Sequence, residues 1–230
     1  MDDSGVSYGD ALRVAQKKGY AEADPTNDVA GYDAARKLAI LASIGFHANV
    51  TFDDVLVEGI EKISQNDVQY ASEMGYTIKL LAVAIRQENG IALNVYPAFV
   101  PRSHPLASVK GSYNAIYVTG NIVDDVMFYG KGAGSLPTAS AVMGDVISTA
   151  KHILNHSTGT GMMLTETKRI PFYSSLKLEN SYYFRLIVDD VTGVLSQIAS
   201  AYADNDISIK EVVQKSRIED AAELMIITEK

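Results

Sequence analysis

A chain of 230 residues, 47% of them hydrophobic and 21% charged, can bury a core as one large domain or as one medium and one small domain. Lysine and arginine number 20 against 28 acids, a formal charge of −8 that argues against nucleic acid or an anionic membrane surface as partner. The absence of cysteine excludes disulfides, thiolate metal sites and a cysteine nucleophile.

The histidines His47, His104, His152 and His156 show no metal-ligand spacing, so no metal is expected. The longest apolar run, Leu38 to Phe46, is far short of the roughly 20 residues a membrane helix needs. Met1 to Gly5 is acidic and polar, unlike a secretory signal. The expectation is a cytoplasmic protein.

In chain order, Asp10 to Lys18 predicts a helix ended by Gly19 in the manner of a C′ glycine. Tyr20 to Asp28 reads as an acidic loop, because Pro25 restricts Asp24 to extended conformations. A second helix runs from Asp33 to Ile44, with Leu38, Leu41 and Ile44 at helical spacing and Gly45 closing it. Thr51 to Asp54 resembles a capping box that opens a helix through Ile63. A shorter helix covers Asp67 to Met74. Gly75 then leads into a strand, Tyr76 to Gln87, and Asn89-Gly90 signals a hairpin to a return strand, Ile91 to Val100. Strands at Ala115 to Thr119 and Val123 to Tyr129 extend the same antiparallel sheet. A glycine turn, Gly130 to Gly134, precedes a helix from Pro137 to Leu154.

Asn155 to Ser175 is rich in threonine, glycine and basic residues and places a domain boundary near its end. Beyond it come strand Tyr183–Val188, helix Val194–Ala203, strand Ile207–Gln214 and strand Glu223–Thr228, a βαββ order that is four elements of the six-element ferredoxin-like unit. The fold class is therefore α+β. A mixed, mainly antiparallel sheet covered by helices (1–170) is followed by a partial ferredoxin-like module (176–230).

Chemistry concentrates in Glu22, Asp24, Asp28, Asp33 and Lys37. Asp33 and Lys37, four apart, share a helix face. A protonated lysine donates to the oxyanion that develops on a carbonyl, and spare carboxylates grip a substrate ammonium. An ordinary surface reading stands beside this one. Acids near a helix start stabilise its dipole, and an exposed Asp–Lys pair contributes only about 0.3–0.5 kcal/mol. The turn at Gly130-Lys131-Gly132-Ala133-Gly134 is no dinucleotide fingerprint, since Ser135 breaks the G-x-G-x-x-G spacing and no acid follows some twenty residues on.

The run from Gly19 to Lys37, GYAEADPTNDVAGYDAARK, resembles the homoserine dehydrogenase signature GYAE-x-DP-x-x-D-x-x-G-x-D-x-x-x-K. Tyr129 to Gly134 with Leu136 to Val142 resembles that family's second motif. The resemblance implies an enzyme that interconverts L-homoserine and L-aspartate 4-semialdehyde with NAD or NADP, in threonine, methionine and isoleucine biosynthesis. It implies Lys37 as proton donor to the aldehyde oxygen and Asp33 as its catalytic neighbour and a substrate contact. Glu22, Asp28 and Tyr20 would bind substrate, while Gly19, Gly132 and Gly134 would lie beside the cofactor. It also implies a homodimer. The family's N-terminal dinucleotide domain is not represented in this sequence, so the chain is expected to be inactive alone. His104 is read as a turn residue.

Asp189 to Leu195, then Ile198 and Asn205 to Ile209, resembles an ACT regulatory module, with Asp190 and Gly193 as weak candidates for an effector site. Two competing readings remain: a stand-alone amino-acid-binding ACT regulatory protein, and a structural fragment that dimerises through its sheet.

Overall fold

The computed structural model describes residues 7–157, 170–173, 178–218 and 221–230. The polar residues 1–5 and most of the Asn155 to Ser175 stretch lie outside the described residues. The chain divides into two compact units, Met1–Tyr173 and Ser174–Lys230.

In the first unit, helix α1 (Tyr8–Lys17) is capped by Ser7, whose hydroxyl accepts from the Asp10 amide. It ends in a Schellman arrangement: Gly19 adopts φ +70°, its N–H donates to the Gln16 carbonyl and that of Tyr20 to the Ala15 carbonyl. The acidic stretch is not wholly irregular. Thr26–Val29 form a one-turn helix, α2, started by Asp24, which accepts from the Thr26 amide and hydroxyl at 3.1 and 2.6 Å. Helix α3 (Tyr32–Phe46) runs past Gly45, and His47 closes it at φ 52°. Glycine's preference for helix ends was outweighed there by the core contact that Phe46 gains.

The helix expected from Thr51 to Ile63 does not form. Thr51 does donate to the Asp54 carboxylate, but the turn stops after Phe52–Asp54. Val55 then drops into the core, and Leu56–Val57 become strand β1, parallel to Asn94 and Val95. β-Branched residues facing a buried strand favour the extended form over a second helical turn. Helix α4 (Gln65–Glu73) starts two residues earlier than expected, on a reciprocal Ser64–Asp67 capping box.

Strands β2 (Tyr76–Gln87) and β3 (Gly90–Pro101) pair antiparallel over their whole length, and the first sheet has the order β1-β3-β2. Ile91, Leu93 and Val95 alternate along β3 and meet Ala35, Leu38, Ala39 and Ala42 of α3 in the core. Gly90 serves more than the turn. A Cβ there would stand 2.2 Å from the Pro171 carbonyl oxygen, because residues 170–173 run alongside β3 and bond to both backbone groups of Ile91.

Strands β4 (Tyr113–Gly120) and β5 (Asp124–Lys131) do not extend this sheet; they form a separate two-stranded one. A 3-10 turn at Pro105–Ser108 redirects the chain between the sheets, and His104 caps it by accepting from the Leu106 amide at 3.2 Å. The same ring lies 4.8 Å from that of Tyr117. On β5, donation from Tyr117 and then Thr119 holds the Asp125 carboxyl below its usual range. Helix α5 (Ser135–Leu154) buries none of its residues, and Met143, Ile147 and Leu154 are exposed along it, as are Ile116, Phe128 and Tyr129 on β4 and β5.

The second unit is β6 (Tyr183–Asp189), α6 (Val194–Ala203), β7 (Ile209–Ile218) and β8 (Ala221–Thr228), in an antiparallel sheet of order β6-β8-β7. Its central strand is buried from Ala222 to Thr228, and Glu223 there accepts from Arg185 at 3.1 Å. The expected βαββ order and the α+β class are both present. Among the described residues no helix is long and apolar enough to cross a membrane, and no cluster of ligating side chains suits a metal ion.

Gly31, the residue before α3, adopts φ +83°, and a Cβ there would meet Val95 Cγ1 at 3.0 Å and Val57 Cγ1 at 3.2 Å. Gly31→Ala is expected to destabilise the first unit by about 1–3 kcal/mol, from left-handed strain plus the displaced valines. Urea unfolding checks this, and an unchanged midpoint would show that the start of α3 shifts freely.

Candidate functional site

The acidic segment is held at both ends. On one side Gln16 of α1 donates to the carbonyls of Glu22 and Ala23 at 3.0 and 3.3 Å. On the other, the Ile60 amide donates to the Val29 carbonyl at 2.9 Å, and Gly59 comes so close that a Cβ would stand 2.4 Å from that oxygen. Between these anchors the carboxylates divide by task. Asp24 is occupied by Thr26, and those side-chain and backbone hydrogen bonds hold its carboxyl below the usual 3.8. Glu22 and Asp28 carry no such local bond among the described residues and remain exposed.

Gly31 turns the chain from α2 into α3 and so sets Asp33 in the first turn of α3, where a carboxylate also suits the helix dipole. One turn on, Lys37 Nζ lies 2.6 Å from Asp33 Oδ2. The pair is open to solvent, with side chains 64% and 46% exposed, so it adds little to stability and is available to a ligand. Tyr20 is exposed at the start of the acidic segment. Ile40, Leu41 and Ile44 continue the face of Lys37 as an exposed apolar stripe.

Asp33 and Lys37 are in contact, and α2, which carries Asp28, packs against α3. Glu22 and Asp28 form no ion pair with Lys37 among the described residues. The glycines differ from one another. At Gly19 and Gly130 no atom stands within 4 Å of where a Cβ would be, so the backbone presents an open surface. At Gly132 the space is taken by the Asn114 side chain, 2.0 Å from a Cβ position. Gly134, at φ +119°, opens α5. In the second unit Gly193, at φ +95°, opens α6 three residues after Asp190.

Four residues given no role by the sequence reading join the site. Arg36 Nη1 donates to Asn27 Oδ1 at 2.9 Å, and its guanidinium carbon lies 5.2 Å from the Phe52 ring centroid. Phe52 in turn meets Tyr32 edge-on at 5.8 Å. No spacing rule links positions 27, 36 and 52, since they meet only once α2, α3 and the Phe52 turn are packed together.

Residues 1–147 match the protein-family model for homoserine dehydrogenase. The chain belongs to the homoserine dehydrogenase family. It is 43% identical to the homoserine dehydrogenase of Corynebacterium glutamicum over 99% of its own length and 52% of that protein, and 38% identical to that of Bacillus subtilis over 96% and 51%. The crystal structure of a homoserine dehydrogenase from Thiobacillus denitrificans superposes with a TM-score of 0.90 at 39% identity, covering all of this chain and 53% of that one. That of Staphylococcus aureus gives 0.74 at 32% identity and covers 55% of its chain. The chain thus spans about half the length of the curated homoserine dehydrogenases it matches, a family of oxidoreductases.

Because the folded carboxyl of Asp24 titrates below its unfolded value, its capping contribution is present above pH about 4 and is lost as pH falls through the lower folded value. Amide exchange at Thr26 and Asp28 is expected to lose protection in that acid window before the core of α3 does, and Asp24→Ala should show the same loss at neutral pH. Equal protection in the variant would mean that α2 stands on its other anchors alone.

Proposed function

We propose that the first unit is the substrate-binding half of an enzyme that interconverts L-homoserine and L-aspartate 4-semialdehyde with NAD or NADP. The observation that carries this reading is the exposed Asp33–Lys37 pair, 2.6 Å apart, set against the acidic helix α2. Lys37 gives its proton to the aldehyde oxygen in reduction and takes the hydroxyl proton in oxidation. Its ammonium also stabilises negative charge as it develops on that oxygen. Asp33 orients the ammonium by direct hydrogen bonding and contacts the substrate. Glu22 and Asp28, exposed and not occupied by local capping, bind the substrate ammonium, and Tyr20 lines the same surface.

The residues present fit one end of a nicotinamide dinucleotide. The bare backbone at Gly19 leaves room for the close approach of a flat ring, and Gly134 opens α5 with a second bare turn. Gly132 contributes to the shape of the turn, with Asn114 in the space beside it. The dinucleotide supplies the two-electron change at the carbonyl carbon; the chain's own side chains handle the proton. Among the described residues there is no doubly wound parallel sheet with a phosphate-binding turn, so the isolated chain is expected to show no NAD(P)-linked turnover.

The exposed apolar residues of β4, β5 and α5 support a homodimer, and the stripe of Ile40, Leu41 and Ile44 supports a covered, water-poor site in the assembled enzyme. The second unit is read as an ACT-like regulatory module with an amino-acid effector near Asp190 and Gly193. A cytoplasmic location in threonine, methionine and isoleucine biosynthesis completes the reading.

The test joins the chain to a dinucleotide-binding domain and compares it with its Lys37→Ala variant. Oxidation of L-homoserine should fall by about two or more powers of ten in kcat on loss of the proton-transfer group. Equal turnover would make Lys37 a surface lysine and end the catalytic reading of the pair.

A further inference from the structure

Helix α2 has a single turn, too short to persist on its own. Yet its Asp28 must keep a fixed place relative to Asp33 and Lys37 if three groups are to grip one small zwitterion. The cap at Asp24 and the Ile60–Val29 bond hold the two ends of α2 along its axis. Neither of these bonds reaches α3. Arg36 does. It lies on α3 next to Lys37, and its guanidinium reaches back to Asn27, the residue before Asp28. The Phe52 ring beneath it, itself held edge-on by Tyr32, limits where that guanidinium can go. A planar, multiply donating cation stacked on a ring is better suited to such a strut than a lysine, whose point charge has no plane to stack.

We propose that Arg36 is a positioning residue that braces α2 against α3 through Asn27 and so holds the turn that carries Asp28 on the helix that carries the Asp33–Lys37 pair. The proposal rests on the substrate reading given above for its functional half. Its structural half stands on the geometry alone. Arg36 acts through Asn27 and touches neither the reacting atoms nor the substrate.

The experiment uses the full chain. Amide exchange is followed for Asp28, Val29 and Ala30 in the wild type, Arg36→Met and Asn27→Ala, with Leu38 and Ala39 of α3 as the internal control. Both variants should exchange about five- to tenfold faster in α2, as loss of one solvent-exposed hydrogen bond predicts, with the control amides unchanged. The double variant should be no worse than the worse single one, because one interaction is lost only once. Arg36→Lys, which keeps a charged donor, should recover part of the protection. Unchanged α2 exchange in Arg36→Met overturns the brace.

A parallel titration with L-homoserine separates the two halves. Affinity should weaken by about the same factor in both single variants. A wild-type chain with no affinity for L-homoserine would sink the substrate reading, and with it the functional half of the proposal, whatever the exchange shows. Binding lost in Arg36→Met but intact in Asn27→Ala would overturn positioning and make Arg36 a direct ligand of the substrate.

Discussion

At Gly31 the backbone passes so close to β1 and β3 that a Cβ would stand 3.0 Å from Val95 and 3.2 Å from Val57. The placement of Asp33 and Lys37 follows from that approach. Leaving Gly31 at positive φ, the chain can start α3 only along the buried face of β3, where Ala35, Leu38, Ala39 and Ala42 meet Ile91, Leu93 and Val95. With that face turned inward, the helical period turns Asp33 and Lys37 outward, one turn apart. Small residues on α3 let helix and sheet come together closely, and a rigid sheet beneath an exposed ion pair is what a site needs to hold its geometry.

Around this fixed pair the acidic segment behaves as a set of supports and a smaller set of free groups. Asp24 is given to the cap of α2, and the Glu22 and Ala23 carbonyls to Gln16. The carboxylates of Glu22 and Asp28 stay exposed and carry no local bond among the described residues. A cluster of five charges thus resolves into one structural acid, one ion pair and two uncommitted acids. The fold reaches this with a segment that has almost no regular structure of its own.

Much of this was legible in the sequence because the signals were local. The hairpin β2–β3, the helix stop at Gly19 and the order of the second unit all follow from turn chemistry and periodicity. The signature from Gly19 to Lys37 marks the candidate site residues, although Pro25 hides the one-turn helix α2 within it. The misread parts depend on distant contacts. Thr51 and Asp54 did form their bonds, but the helix they announced lost to the pairing of Leu56–Val57 with β3. The strands β4 and β5 alternate as a half-buried sheet would, and nothing in that pattern says which sheet they join. Arg36 and Asn27 carry no local signal, since their bond exists only once α2 and α3 are side by side.

The backbone path past Gly90 has a practical bearing on where the molecule can be divided. Residues 170–173 lie against β3 as a short added strand, bonded to the N–H and C=O of Ile91, and no side chain at position 90 would leave them room. A recombinant first unit cut before Pro171 would leave those two groups of a fully buried residue unpaired, at the heart of the sheet that carries α3. The natural seam of the molecule therefore falls after Tyr173. The tetrapeptide before it, which from composition alone looks like part of a tether between modules, is a piece of the first unit's frame.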